Sequence, residues 1–447
     1  MTASDMKRSH KLLAPVIISY LAMSLISCQD DLDDPSYAPR LIKEAIYEGM
    51  TEWYYWNEEV PADLNLTKYN SNEALLEDLR YKTLDKWSYL TTVDAFDKAF
   101  TGQNAGHGVG FAIGQDDRVY LTFVYEESPA GKDGWQRGWE IVEVNGKPIS
   151  TYKVGNGYNL QLGADSPGVT NSFKFRLPDG TLVERTIEKS EYQSNSVLHQ
   201  RVFVEGDKRI GYWVYNSFKA SLQIEPTKSL EVDNSMAFFA ENQINELIID
   251  LRYNGGGSVA VAEQIMNYLI PSRYDGDLMY TNAFNDLKSE FNEETFFEKI
   301  GDLDLDRIVF ITSRGSASSS ELLINCLSPY LEVVLIGDNT YGKPVGAFPL
   351  SSFYRVLRQN NVELVPITFA IANADGKAAY YQGFPVDFPV LDDLSRNWGE
   401  PEEARLKAAI NFITTGGFGE TDRRKYHAPS WAMIDNFSGL AQEFPVY

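Results

Sequence analysis

Two cysteines and four histidines are few for a chain of 447 residues, and each scarcity removes a class of chemistry. Cys28 and Cys326 lie far apart, so no framework of several disulfides can staple the fold. His10, His107, His199 and His427 are scattered, and none stands in a metal-spacing motif, so no metal is expected. Positive charge is short as well. Against 63 Asp and Glu there are 40 Lys and Arg, a net charge of -23, which repels phosphate and argues against nucleic acid as a partner. There is no internal repeat and no low-complexity block. The apolar run LLAPVIISYLAMSLIS (12–27) has 16 residues, short of the roughly 20 that a membrane span needs.

That run follows Lys7, Arg8 and Lys11, the order of an export signal, here residues 1–27. It ends Leu25-Ile26-Ser27-Cys28, which resembles a bacterial lipobox. The resemblance implies that Cys28 becomes a lipidated first residue and holds the chain to a bacterial envelope membrane. The acidic QDDLDDP that follows reads as part of a tether, 28–39, and resembles the export signals of some Gram-negative surface lipoproteins. Cys326, inside the helical pattern ELLINCL, is then a core residue.

The texture of the chain changes three times. Residues 40–104 read as a helical domain, with LIKEAIYEGMTEWYYW apolar at intervals of three and four. Residues 105–195 hold short alternating runs (HGVGFAI, RVYLTFVY, WEIVEVNGKPI, FKFRLPDGTLVERTIE) punctuated by Asn-Gly and Asp-Gly, a β-rich domain. Across 196–415 the strands RIGYWVYNSF, ELIIDLR, RIVFIT and VVLIG alternate with the helices VAEQIMNYLI and ELLINCL, which is α/β layering with parallel crossovers. A polar and aromatic tail, 416–447, closes the chain.

Chemistry concentrates where strands end. RIVFIT runs into SRGSASSSE, five serines ahead of a helix. Such a cluster supplies an N-cap, Ser318 for a helix beginning at Ser319 or Ser320, or it supplies a nucleophile. A serine nucleophile needs a base, and a buried lysine kept neutral can be one. Lys343, in GDNTYGKPVGA directly after VVLIG, is the candidate. In a parallel sheet both loops open at the same carboxyl edge. A third strand, ELIID, ends in LRYNGGG, whose glycines can aim backbone N–H groups at a developing oxyanion. Nucleophile, base and hole are the parts needed for acyl transfer. A phosphate loop is excluded at GDNTYGKP, because Pro344 stands where that motif needs Ser or Thr.

Together these residues resemble the C-terminal-processing peptidases, tail-specific serine proteases with a Ser–Lys dyad, from about residue 40 to 415. The family's G-S-A-S-A-S-E is here Gly315-Ser316-Ala317-Ser318-Ser319-Ser320-Glu321, and its D-L-R-x-N-x-G-G is Asp250 to Gly257. The resemblance implies Ser318 as nucleophile, Lys343 as base 25 residues on, and an oxyanion hole from Gly256, Gly257 and Ser319, with Glu321 in support. It implies a crotonase/ClpP-like α/β catalytic domain, a PDZ-like domain and an N-terminal helical domain. The PDZ-like loop Gly108-Val109-Gly110-Phe111 would capture the extended tail of a protein or peptide substrate by strand addition. It requires no cofactor.

Two positions depart from the pattern. The glutamine that helps orient the family's lysine is Ala347 here, and Ser319 replaces the frequent alanine. The alternative is a non-catalytic ligand- or peptide-binding surface lipoprotein on the same fold. A further reading makes EWYYW (52–56) a glycan platform, although helical spacing assigns those rings to the core.

Overall fold

The computed structural model describes residues 37–114, 116–155, 157–220 and 228–419. The export segment, Cys28 and most of the tether and tail lie outside them. Helix α1 spans Tyr37–Trp53. The last three tether residues are therefore helical. Pro39 falls within the first turn of that helix, where backbone N–H groups have no helical partner to lose.

The three- and four-residue spacing of α1 puts Ile42, Ala45, Ile46, Met50 and Trp53 into one cluster with Leu75, Leu76 and Leu79 of α2 (Asn72–Leu79). Helix α3 (Val93–Phe100) completes this part. Ser71 and Thr92 cap α2 and α3, accepting from Ala74 N and Ala95 N. Trp53 and Tyr54 are buried, which removes the centre of a glycan platform.

The β-rich part is an antiparallel sheet of β1 (Val109–Ile113), β2 (Val119–Val124), β3 (Glu140–Val144), β4 (Thr170–Arg176) and β5 (Leu182–Glu188), ordered β5-β4-β3-β2-β1. Its turns are those written in the sequence. Asn145 and Gly146, both at positive φ, reverse the chain after β3, and Asp179-Gly180 joins β4 to β5. Strand β1 forms one edge. Gln103–Gly106 pairs with Ser190–Gln193. The boundary expected at 104/105 therefore falls inside a strand, because the chain enters and leaves the β-rich part through one antiparallel pair.

The third part is built on a sheet of β6 (Val197–Glu205), β7 (Lys208–Tyr215), β8 (Glu246–Asp250), β9 (Arg307–Thr312), β10 (Glu332–Gly337) and β11 (Phe388–Pro389), adjacent in that order. All neighbours from β7 onward are parallel, and β6 is antiparallel. Helices α5 (Leu230–Glu241), α6 (Val259–Leu269) and α7 (Ser319–Leu327) cover one face, and α8 (Ala404–Thr415) the other. Strand residues alternate accordingly. Leu247, Ile249, Ile308 and Phe310 join the α5–α7 cluster, while Ile248, Val309 and Ile311 join α8. The short turn Pro129–Lys132 is α4. Cys326 is fully buried in the larger cluster.

A second, four-stranded sheet runs Glu293–Phe296, Leu278–Phe284, Ile367–Asn373, Val345–Ala347.

Arg252 of the D-L-R motif lies between the parts. Its guanidinium donates to Asp250 (2.7 Å), Asp392 (2.7 Å) and Glu403 (2.9 Å). Arg137, from the turn before β3, donates to the same Asp392 at 2.6 Å. Burial alone would push Asp392 up, but Arg137 and Arg252 outweigh it and hold the carboxyl well below the usual range. Its contribution is present above its ordinary pKa near 4 and is lost as the pH falls below that. Replacing Arg252 by Leu leaves the buried Asp250 and Glu403 without their cation, while Asp392 keeps Arg137, and should cost about 3–5 kcal/mol at neutral pH, read as a lower urea midpoint.

Candidate active site

Three loops leave the carboxyl edge of the central sheet side by side, because β8, β9 and β10 are parallel and adjacent. The first is the glycine loop 251–258, the second the serine loop 313–318, and the third the lysine loop 338–344. This is the juxtaposition the sequence implied.

Four of the five serine hydroxyls are tied to the glycine loop. Ser316 donates to Leu251 O (2.8 Å), Ser320 to Asn254 O (2.9 Å), Ser319 to Gly257 O (2.8 Å), and Ser313 to Arg252 O. Ser318 is the exception. It is half-buried and opens into a narrow pocket whose walls include Lys343, Val259, Leu322, Ile371 and Tyr380. Its backbone sits at φ 55, ψ -116, which a residue with a Cβ rarely adopts. The turn from β9 into α7 thus presents this side chain at a strained corner. The cap and nucleophile readings of the cluster both land on Ser318, which occupies the N-cap position of α7.

Gly256 and Gly257 lie at φ 115 and 134. A Cβ on Gly256 would lie 2.8 Å from Ser318 Cβ and 3.2 Å from Ser319 N, so only glycine allows the loop to come this close. The N–H of Gly256 donates to Asn254 Oδ1 at 2.9 Å. Of the three residues expected to donate to an oxyanion, Gly256 thus commits its N–H to shaping the turn. Phe218 brackets the loop from β7, with its N–H on Gly256 O (2.9 Å) and its C=O accepting from Ser258 N (2.8 Å).

Lys343 is 3 % exposed and shares the pocket with Ser318. Gly342 precedes it at φ 99. Two residues later the chain enters Val345–Ala347, so Ala347 is a strand residue paired with Ile367.

Glu321 links the two catalytic loops. Its carboxylate is fully buried and accepts four hydrogen bonds, from Thr340 Oγ1 (2.6 Å), Gly342 N (2.7 Å), Lys343 N (2.8 Å) and Ser318 N (3.1 Å). Burial pushes its pKa up to about 7, against the four donors, which favour the ionised form. Sequence reasoning gave Glu321 only a supporting place. The signal was the Ser-x-x-Glu spacing of a capping box, Ser318 to Glu321. Thr340, Ile371 and Tyr380 carried no signal, because the fold brings them from separate strands and loops.

Gly108, Val109, Gly110 and Phe111 are elsewhere. They start the edge strand β1, and none lines the Ser318–Lys343 pocket. Gly108 lies at φ 80 with Ser128 so close that a Cβ would fall 2.0 Å from the serine's own.

Two sequence profiles match this chain: the Peptidase S41 N-terminal domain over residues 42–89 and Peptidase family S41 over 209–357. Those two segments of the chain are thus similar to peptidase family S41. Among curated relatives the chain is similar to carboxy-terminal processing protease CtpB of Bacillus subtilis, 22 % identical over 58 % of this chain and 50 % of that one. It is also similar to carboxyl-terminal-processing peptidase 3 of Arabidopsis thaliana, 25 % identical over 62 % and 52 %. The chain thus spans about half the length of the curated relatives it matches. A solved structure described as a putative S41 protease from Bacteroides fragilis superposes with a TM-score of 0.66 at 22 % identity, covering 83 % of this chain and 97 % of that one. The S41 fold, with mixed α/β content and a helical N-terminal region, is therefore shared.

In this chain Glu321→Gln puts an NH₂ against two donors. It should lower stability by about 1–3 kcal/mol and collapse the pairing of the two loops. Because the folded carboxyl titrates near 7 and the ordinary one near 4.5, the charge-linked contribution is present below pH 4.5 and is lost as the pH rises through 7. The stability difference between wild type and Glu321→Gln should therefore shrink across that window in urea unfolding.

Proposed function

We propose that this chain is a serine endopeptidase that cleaves protein or peptide substrates by a Ser318–Lys343 acyl-enzyme mechanism. One observation carries the reading. Of five clustered hydroxyls, only Ser318 escapes the glycine loop, and it opens into the pocket that also holds the buried amine of Lys343.

Neutral Lys343 accepts the Ser318 Oγ proton as the oxygen attacks a peptide carbonyl. The oxyanion that forms takes hydrogen bonds from Gly257 N–H and Ser319 N–H, the latter at the N-terminus of α7. Lys343 then gives its proton to the leaving nitrogen as the C–N bond breaks, and an ester on Ser318 remains. Water, losing a proton to Lys343, attacks that ester. A second oxyanion collapses, the C–Oγ bond breaks, and Ser318 recovers its proton.

The proposal includes the wider architecture. The part from 196 to 415 acts as a crotonase/ClpP-like catalytic domain. The β-rich part acts as a PDZ-like domain whose edge strand β1, directly after Gly108, takes the extended tail of the substrate. Lipid on Cys28 holds the chain at the bacterial cell envelope.

Ser318→Ala and Lys343→Ala should each reduce cleavage of an unstructured peptide by at least about a thousandfold. Unchanged cleavage in both variants, or no cleavage by wild type, would sink the dyad and leave the non-catalytic binder in its place.

A further inference from the structure

The strand that follows the lysine is an open edge. Val345–Ala347 pairs on one side with Ile367–Asn373, Gly346 opposite Phe369, and it ends the four-stranded sheet. Val345 and Gly346 already line the Ser318 pocket. An extended chain added to this edge would therefore run past the nucleophile with no change of direction. Gly346 suits such an approach. It has no side chain, and the Phe369 ring has moved into the space, so that a Cβ on Gly346 would lie 2.1 Å from the ring. A residue of the added strand opposite Gly346 meets that aromatic edge.

From Phe369 the aromatic surface continues outward. Phe369 contacts Phe284 (ring centroids 5.5 Å apart), and Phe284 contacts Phe348 (6.2 Å) and Phe291 (5.8 Å). Phe348 contacts Phe353 at 5.8 Å, and Trp53 underlies Phe291, Phe348 and Phe353 at 5.4, 5.3 and 4.7 Å. The outer members are exposed, Phe291 by 43 % and Phe353 by 42 %, with Leu287, close to Phe291 in sequence, at 58 %. Large apolar side chains left in water over a continuous run mark a surface that something covers. Continuity with the Ser318 pocket says what covers it.

We propose that the edge strand Val345–Ala347 takes the substrate as an added β-strand, and that the aromatic run from Phe369 to Phe353 and Phe291 binds apolar or aromatic side chains flanking the scissile bond. The substrate class is then an unstructured polypeptide segment rich in large apolar residues, recognised beside the bond in addition to the capture of its tail at β1. This inference rests on the peptidase reading of the same pocket, and its test separates the two.

The probe is a set of peptides blocked at both ends that differ at one position beside the cleaved bond, Phe, Ser or Glu. With wild type, Phe should exceed Glu about tenfold in kcat/KM. Phe291→Ser combined with Phe353→Ser, both exposed and confirmed as folded by an unchanged melting curve, should bring that ratio to within about twofold. Anisotropy of the same labelled peptides on Ser318→Ala reads binding without chemistry and should show the same order. Cleavage without preference, or preference that survives the double substitution, overturns the subsite and leaves the peptidase standing. Selective binding to Ser318→Ala with no cleavage by wild type overturns the peptidase and leaves the subsite standing. A concentration-dependent dimer that buries Phe291 and Phe353 while peptides neither bind nor compete overturns the subsite in favour of a second copy of this chain.

Discussion

A single buried carboxylate joins the serine loop to the lysine loop. Glu321 accepts from the backbone of Ser318 on one side and from Gly342, Lys343 and Thr340 on the other. All four partners donate, so only a group that accepts everywhere fits. The parallel strands bring the loops to one edge, but strand order alone fixes position to the width of a loop. A four-pronged acceptor fixes it to the length of a hydrogen bond, the tolerance that proton transfer demands. Ala347 stands where the resembled pattern has a glutamine, and here the backbone leading into Lys343 is held by Glu321 instead.

How far the sequence disclosed this depends on where each residue's partners lie. Strands β8, β9 and β10 were legible because both faces of a parallel sheet are buried, which turns ELIID, RIVFIT and VVLIG into unbroken apolar runs. The hairpin turns of the β-rich part were legible because Asn-Gly and Asp-Gly set backbone conformation locally. The second sheet was not. Val345–Ala347 is three residues long and Ile367–Asn373 looks like any short apolar stretch, so their pairing is a tertiary fact with no local signature. Helix α8 was missed for a related reason: it faces the sheet with small residues, Ala408 and Ala409, whose burial a periodicity reading underweights. Ser318 was found by its neighbours, the glutamate three residues on and the lysine beyond. What distinguishes it physically is that the other four hydroxyls are occupied, and that is visible only once the glycine loop is in place.

The Arg137–Asp392–Arg252–Glu403 cluster does for the larger parts what Glu321 does for the loops. It joins the β-rich part, the end of β8 and the N-terminus of α8 through charges almost wholly removed from water. Trp398 stacks over both guanidinium groups, 4.2 Å from Arg137 and 5.2 Å from Arg252. Its members lie up to 266 positions apart in sequence, from 137 to 403, so they act as a joint only when all parts are folded. The D-L-R motif therefore has a division of labour: its arginine faces the joint, and the Asn-Gly-Gly-Gly that follows faces the chemistry.

The left-handed backbone at Ser318 sets activity against persistence. Every residue with a Cβ bears the same torsional burden at that corner, and glycine alone escapes it. Drift away from this hydroxyl therefore runs energetically downhill. A lineage that keeps this serine does so against a standing incentive to relax, and copies that have lost their reactive hydroxyl to glycine should be hardier than those that kept it.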